Sequence, residues 1–153
     1  MANTFTQIHI QVVFVVKYRS AFIEPHFEYA LYKYITGIIQ NYGHKVLAIN
    51  GTADHIHILM GFRPTQSLSD LMEIVKGESS QWINAQKLLP TKFAWQKGYG
   101  GFSYTKSHVP AVTKYILNQK EHHRKVAFLD EFRQMLLNLG IDFDERYMFH
   151  EPI

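Results

Sequence analysis

The sequence predicts an α+β fold with one antiparallel sheet, and three observations carry that reading. Two segments alternate apolar and polar residues with a period of two, the mark of half-buried strands. Between and after them, apolar residues recur at helical spacing. The predicted order is strand, helix, strand, strand, helix, strand, helix, helix, and its first six elements match a split βαβ arrangement.

From Phe5 to Lys17 the residues alternate, with Ile8, Ile10, Val12, Phe14 and Val16 on one face and Gln7, His9, Gln11 and Lys17 on the other. After Pro25, a natural first-turn residue, Phe27, Ala30, Leu31, Tyr34, Ile35 and Ile38 follow a helical period up to Gly43. His44 to Gly51 reads as a second strand, and Thr52-Ala53-Asp54 as a tight connection. His55 to Phe62 is the third strand, with Ile56, Ile58, Met60 and Phe62 opposite His55, His57 and Leu59. Ser67 is placed to cap a helix whose apolar face carries Leu68, Leu71, Met72 and Val75. Phe93 to Gln96 and Phe102 to Lys106 are expected as strands around the turn Gly98-Tyr99-Gly100-Gly101. One helix is expected from about Pro110 to Lys125 and another from Phe128 to Leu139, stopped by Gly140. This is a ferredoxin-like, RRM-like layout with helices on one face of the sheet. Its other face would be an open polar surface shared by His9, Gln11, His55 and His57.

The 153 residues suit one domain spanning 1–153, with no repeat or linker. A hydrophobic fraction of 46% and a charged fraction of 19% belong to a folded globular chain. Having no cysteine excludes disulfides, thiolate zinc sites and cysteine nucleophiles together. Met1-Ala2-Asn3-Thr4 lacks the cationic stretch of a secretion signal, and Ile8 to Val16 is too short to span a bilayer. The expectation is a soluble cytoplasmic protein. Charge is unevenly spread: residues 76–126 hold nine basic and two acidic side chains, residues 127–153 two basic and six acidic. A positive middle third is what binding a phosphate backbone requires.

His55-Ile56-His57 puts two imidazoles on one strand face, close enough to share a metal ion. Asp54 stands ready to orient one of them, or simply to make the turn. Tyr115 and Gln119, at i and i+4 of a helix, share a face on which a hydroxyl nucleophile stands beside an amide ligand. Asn118 and His122 lie near the same face and are alternatives to Gln119. Lys17, Tyr18 and Arg19 at the end of the first strand, and Arg63 at the end of the third, are placed to grip phosphates or stack on a base. Lys97 and Lys106, interleaved with Trp95, Tyr99, Phe102 and Tyr104, extend that candidate DNA-binding set.

Taken in order, these stretches resemble the single-tyrosine HUH transposases, insertion-sequence enzymes and their repeat-associated relatives. The resemblance rests on Val16-Lys17-Tyr18-Arg19, Asp54-His55-Ile56-His57-Ile58-Leu59, Ser67-Leu68-Ser69-Asp70-Leu71 with Lys76-Gly77, and Phe93-Ala94-Trp95-Gln96-Lys97-Gly98-Tyr99-Gly100. It continues through Tyr115-Ile116-Leu117-Asn118-Gln119 and Glu121-His122-His123-Arg124, covering the chain from Thr4 to about Tyr147. It implies a DNA transposase in which Tyr115 is the nucleophile and His55, His57 and Gln119 hold Mg2+ or Mn2+. It implies single-stranded DNA, which can carry a hairpin, as substrate. It also implies a homodimer with active sites formed in trans.

The chemistry suits the residues. A free tyrosine has a pKa of about 10 and needs activation, which a Lewis acid on the phosphate supplies. A 5′-phosphotyrosine keeps the energy of the broken bond, so rejoining needs no nucleotide triphosphate, and the chain has no phosphate-binding Gly-x-x-x-x-Gly-Lys-Ser/Thr loop. A metal-bound water or Lys114 is the candidate base. Imidazole ligands by themselves favour zinc, manganese or other transition ions, whereas the resemblance implies magnesium or manganese. Two other readings remain from the residues alone. One is a non-catalytic module binding single-stranded nucleic acid on an open sheet; the other is a metal-dependent hydrolase.

Overall fold

The computed structural model describes residues 3–153; Met1 and Ala2, part of the stretch inspected for a secretion signal, lie outside them. The elements are β1 (His9–Val15), α1 (Pro25–Asn41), β2 (Lys45–Gly51), β3 (His55–Gly61), α2 (Leu68–Ala85), β4 (Gly100–Tyr104), α3 (Val109–Leu117), α4 (Gln119–His122) and α5 (Phe128–Asn138). The strands form one antiparallel sheet in the order β2-β3-β1-β4, as the predicted ferredoxin-like fold requires. Among the described residues no helix is long and apolar enough to cross a membrane.

One face of the sheet follows the sequence pattern closely. Val12 and Phe14 of β1 and Ile56, Ile58 and Met60 of β3 are buried against Phe27, Leu31, Ile35 and Ile39 of α1 and Leu71, Met72, Val75 and Ile83 of α2. Each such side chain contributes about 1.5–3 kcal/mol on burial, so these rows hold the two helices more than propensity does. Ser67 Oγ accepts the Asp70 amide at 3.0 Å and starts α2. Gly43, at φ +91°, lets the chain leave α1 for β2.

The second face corrects the sequence reading. It is not an open polar surface: α3, α4 and α5 cover it, and Gln11, His55 and His57 are buried. The cause lies in β1, whose second face also carries Val13 and Val15. Those two valines pack with Phe102, Phe128, Phe132, Leu136 and Phe149 into a second apolar cluster. A third joins Ala48 and Leu59 to Ile116 of α3. His9 sits at the far end of β1, in register with Gly61 and Tyr104, away from His55 and His57.

Three boundaries also move. The expected helix from about 110 to 125 breaks at Asn118 into α3 and α4. Asn50 Nδ2 donates to the carbonyls of Ile116 and Leu117, each at 3.1 Å, and so takes the acceptors a continuous helix would use one turn on. The segment Phe93 to Gln96 is a single bridge, Val16 with Trp95, rather than a strand. Lys76 Nζ donates to the carbonyls of Gln96 and Gly98 at 2.7 and 2.6 Å and turns the chain away from the sheet there. β4 begins and ends two residues before the expected strand, because Lys106 already belongs to a 3-10 turn. The acidic C-terminal segment folds back: Phe149 joins the second cluster, and the Gln96 side chain holds His150 through its backbone N–H and C=O.

The hairpin between β2 and β3 fixes where His55 stands, and Gly51 makes it possible. A Cβ on Gly51 would lie 2.0 Å from the His55 carbonyl oxygen and 2.9 Å from Ile56 Cα. Both atoms are backbone and cannot step aside. Gly51→Ala is therefore expected to cost about 2–4 kcal/mol of stability, read as a lower urea midpoint. An unchanged midpoint would show that the hairpin tolerates the displacement.

Candidate active site

The period of two along β3 points His55 and His57 to the same side, with ring centroids 5.2 Å apart. Each ring is held from behind. His55 Nδ1 lies 2.7 Å from Asp54 Oδ1, which also accepts the Thr52 hydroxyl at 2.8 Å. His57 Nδ1 lies 2.7 Å from Gln11 Oε1, whose own amide nitrogen donates to the Tyr104 hydroxyl at 3.0 Å. An acceptor on Nδ1 places the hydrogen there and turns Nε2 toward the interior of the site.

The C-terminal helices bring the other half. Tyr115, in the last turn of α3, stands edge-on to the His57 ring with centroids 5.7 Å apart. Gln119, at the start of α4 and fully buried, places Oε1 3.1 Å from His55 Nε2. The helix break thus separates Tyr115 and Gln119 in secondary structure yet leaves both side chains at one place. The two pairs that the spacing predicts, His55 with His57 and Tyr115 with Gln119, meet at one place within a single chain.

Two members escaped the sequence reading. Glu131, on α5, sends Oε1 to within 3.2 Å of His57 Nε2 and 3.1 Å of His123 Nε2. Its Oε2 accepts the Tyr115 hydroxyl and lies 3.1 Å from His122 Nε2 and 3.4 Å from Gln119 Nε2. His123 Nδ1 donates to the Val126 carbonyl at 2.6 Å. A signal for Glu131 was present: with Phe128, Phe132 and Leu136 it makes up the buried stripe of α5, where an acid is out of place.

Electrostatics follow from burial and from this one carboxylate. Burial pushes the His57 pKa down to about 4, against the pull of Glu131, so the ring is neutral at pH 7. Burial acts against charge on Glu131 too, but His123, His57 and the Tyr115 hydroxyl hold its carboxyl well below the usual range. Burial, then the charge and hydrogen bond of Glu131, hold the Tyr115 phenol well above its ordinary value. Burial would lower His123, but Glu131 and the Val126 carbonyl raise it overall. Tyr115 bonded to a carboxylate is a weak nucleophile, which a cation in the site would relieve.

The donors fit a cation. Ligand atoms of His55, His57, His123 and Glu131 all lie within 4.8 Å of one another. His123 Nε2 is buried and makes no hydrogen bond, although Glu131 is close. A cleft of about 610 Å³ lined by Gln11, Tyr104, Val112, Tyr115, His122 and Glu131 leads to the cluster. The candidate DNA contacts divide between the two ends of the sheet. Lys17, Tyr18, Arg19 and Lys97 gather beyond the end of β1 that pairs with His55, where Lys17 and Lys97 line one cleft and Lys17 Nζ lies 5.3 Å from the Tyr18 ring centroid. Arg63 and Lys106 follow β3 and β4 at the other end. Trp95 and Phe102 are buried and not free to stack on bases.

Outer hydrogen bonds of this kind typically govern metal affinity by 10–100-fold. Asp54→Ala is accordingly expected to weaken Mn2+ binding by roughly 10–100-fold, measured by titration calorimetry. Unchanged affinity would remove Asp54 from the support of His55.

Comparison with known proteins identifies a family and a shared fold. The sequence pattern of the family described as "Transposase IS200 like" matches residues 4–119. No curated protein matches the chain in sequence. Among solved structures, a candidate transposase from Deinococcus radiodurans R1 is 19% identical, with a TM-score of 0.62 over 78% of this chain and 95% of that one. A REP-associated tyrosine transposase bound to a REP hairpin is 13% identical, with a TM-score of 0.60 over 82% of this chain and 74% of that one. These two likenesses establish a shared fold. With a family match over most of its length, the chain belongs to the IS200-like transposase family.

Proposed function

We propose that the protein cleaves and rejoins single-stranded DNA through a covalent bond to Tyr115. One observation carries this reading: the Tyr115 hydroxyl and both histidines of the His-x-His pair converge on one buried cluster with a cleft leading to it. The Tyr115 oxygen attacks the scissile phosphorus in line with the 3′ oxygen. An O–P bond to tyrosine forms as the bond from phosphorus to the 3′ oxygen breaks, and the electron pair leaves with that oxygen. The phenol loses one proton and the released 3′-hydroxyl needs one, so the exchange balances with no further reactant. The same steps in reverse rejoin an end to a 3′-hydroxyl.

His55, His57 and Gln119 would hold Mg2+ or Mn2+, which when bound supplies a Lewis acid for the non-bridging oxygens. Asp54 and Gln11 fix the imidazoles, and Phe128 against the His55 ring helps keep water from that side. Lys17, Tyr18, Arg19, Arg63, Lys97 and Lys106 are the proposed DNA contacts, those beside the His55 end nearest the chemistry. One domain, 1–153, carries the activity, acting in the cytoplasm on single-stranded DNA that can carry a hairpin. The covered second face of the sheet is a reason to prefer this reading over an RNA-binding module, which needs that face open.

Single strands from the sequence flanking the gene, with Mg2+ or Mn2+, are the substrates for the test. Tyr115→Phe and His57→Ala are expected to lower cleavage by about a thousandfold or more while retaining DNA binding. Cleavage by Tyr115→Phe near the parental rate would mean that water attacks and the protein is a hydrolase. Binding without cleavage by the unaltered chain would reduce it to a binding module.

The resemblance implies a homodimer with sites formed in trans. One chain already brings Tyr115 to its own His57, which favours a site completed in cis within each subunit of that dimer. An equimolar mixture of the His57→Ala and Tyr115→Phe chains is therefore expected to stay inactive. Restored cleavage would establish exchange of tyrosines between subunits.

A further inference from the structure

The metal site proposed above uses two histidines and an amide, yet the structure gathers more donors than that. Three imidazoles have their Nδ1 atoms committed to fixed acceptors: His55 to the Asp54 carboxylate, His57 to Gln11 Oε1 and His123 to the Val126 carbonyl. With Nδ1 so engaged, each ring presents Nε2 to the site. These three nitrogens turn inward onto oxygens. His57 and His123 face the same Glu131 Oε1 at 3.2 and 3.1 Å, and His55 faces Gln119 Oε1 at 3.1 Å. A cation placed among these nitrogens and oxygens would engage all of them at once.

One divalent cation shared by the three imidazoles would balance the Glu131 and Asp54 carboxylates. The distances agree with a shared ion, since adjacent ligands with bonds of about 2.1 Å to one metal stand about 3 Å apart. His123 Nε2, buried and without a hydrogen bond, is then a ligand awaiting its partner.

We propose that His123 and Glu131 Oε1 bind the metal together with His55 and His57, while Glu131 Oε2 holds the Tyr115 hydroxyl. Glu131 is thus a ligand on one side and a positioning residue on the other, and it ties the nucleophile to the cation through a single rigid carboxylate. It lies on α5, beyond the stretch matched by the family pattern. Three imidazoles and one carboxylate favour a transition ion over magnesium, so the inference also selects Mn2+ between the two cations proposed above. It rests on the metal-dependent reading of this site and adds the identity of the ligands and of the ion.

Titration calorimetry of metal-free full-length chain tests it without reference to cleavage. Mn2+ is expected to bind at least tenfold more tightly than Mg2+. Glu131→Gln and His123→Ala should each weaken Mn2+ at least tenfold, whereas Tyr115→Phe, which touches only Oε2, should stay within about threefold. Thermal unfolding without metal identifies any variant that fails to fold. Electron spin-echo spectroscopy of bound Mn2+ gives a count that needs no variant: three imidazole nitrogens are expected. Mn2+ bound through two nitrogens, with Glu131→Gln equal to the parent, would overturn this inference and leave the site of His55, His57 and Gln119 standing. No binding of either ion by the parent chain would overturn both.

Discussion

The buried carboxylate of Glu131 is the interaction on which the rest of the site depends. It reaches His57 on β3, Tyr115 on α3, Gln119 and His122 on α4 and His123 just after, so one side chain connects the sheet to every C-terminal helix around it. A charge in that position is costly unless fully paired, and removing one partner of a buried pair typically costs about 3–5 kcal/mol. The cost is met by covering. Phe128 and Phe132 flank Glu131 on α5 and pack on Val13 and Val15 of β1, so the apolar cluster and the polar cluster are two parts of one helix face. Losing the cover would expose the site, and losing the polar partners would leave a bare charge under the cover.

That arrangement explains why β1 matters to chemistry it does not perform. Its first face builds the main core through Val12 and Phe14, and its second seats α5 through Val13 and Val15. Gln11, between the two roles, reaches across to the back of His57. The β2–β3 hairpin does the same for His55, since Gly51 permits the close approach and Thr52 and Asp54 receive the ring. Asn50, one residue earlier, breaks the tyrosine-bearing helix by taking its carbonyls, and Gln119 begins the new helix where its amide meets His55. Short polar groups in one hairpin thus set both halves of the constellation.

Much of this was legible in the chain. Period-two alternation places His55 and His57 on one face, because the spacing of a strand leaves no other choice. The i, i+4 relation of Tyr115 and Gln119 gave their proximity, although the helix between them is broken by Asn50, 66 and 67 positions before the carbonyls it takes, which no local pattern reveals. The open second face was the main error. The polar residues Gln7, His9 and Gln11 drew attention from Val13 and Val15, which continue the same face and needed cover. Glu131 was hidden for a related reason: on an amphipathic helix an acid reads as solvent-facing, and only its phase with Phe128 and Phe132 says otherwise. The bridge at Trp95 in place of a strand depends on Lys76 holding two loop carbonyls, a contact across 20 and 22 residues.

The central claim is that a tyrosine, and this tyrosine, joins the DNA. The most direct measurement is mass spectrometry of peptides from protein incubated with flanking single-stranded DNA and Mn2+, denatured and digested. The account predicts a nucleotide mass on the peptide containing Tyr115, bonded through a 5′ phosphate and absent with chelator. DNA cleaved to completion with no protein-bound nucleotide, or a nucleotide carried on another residue, would contradict it.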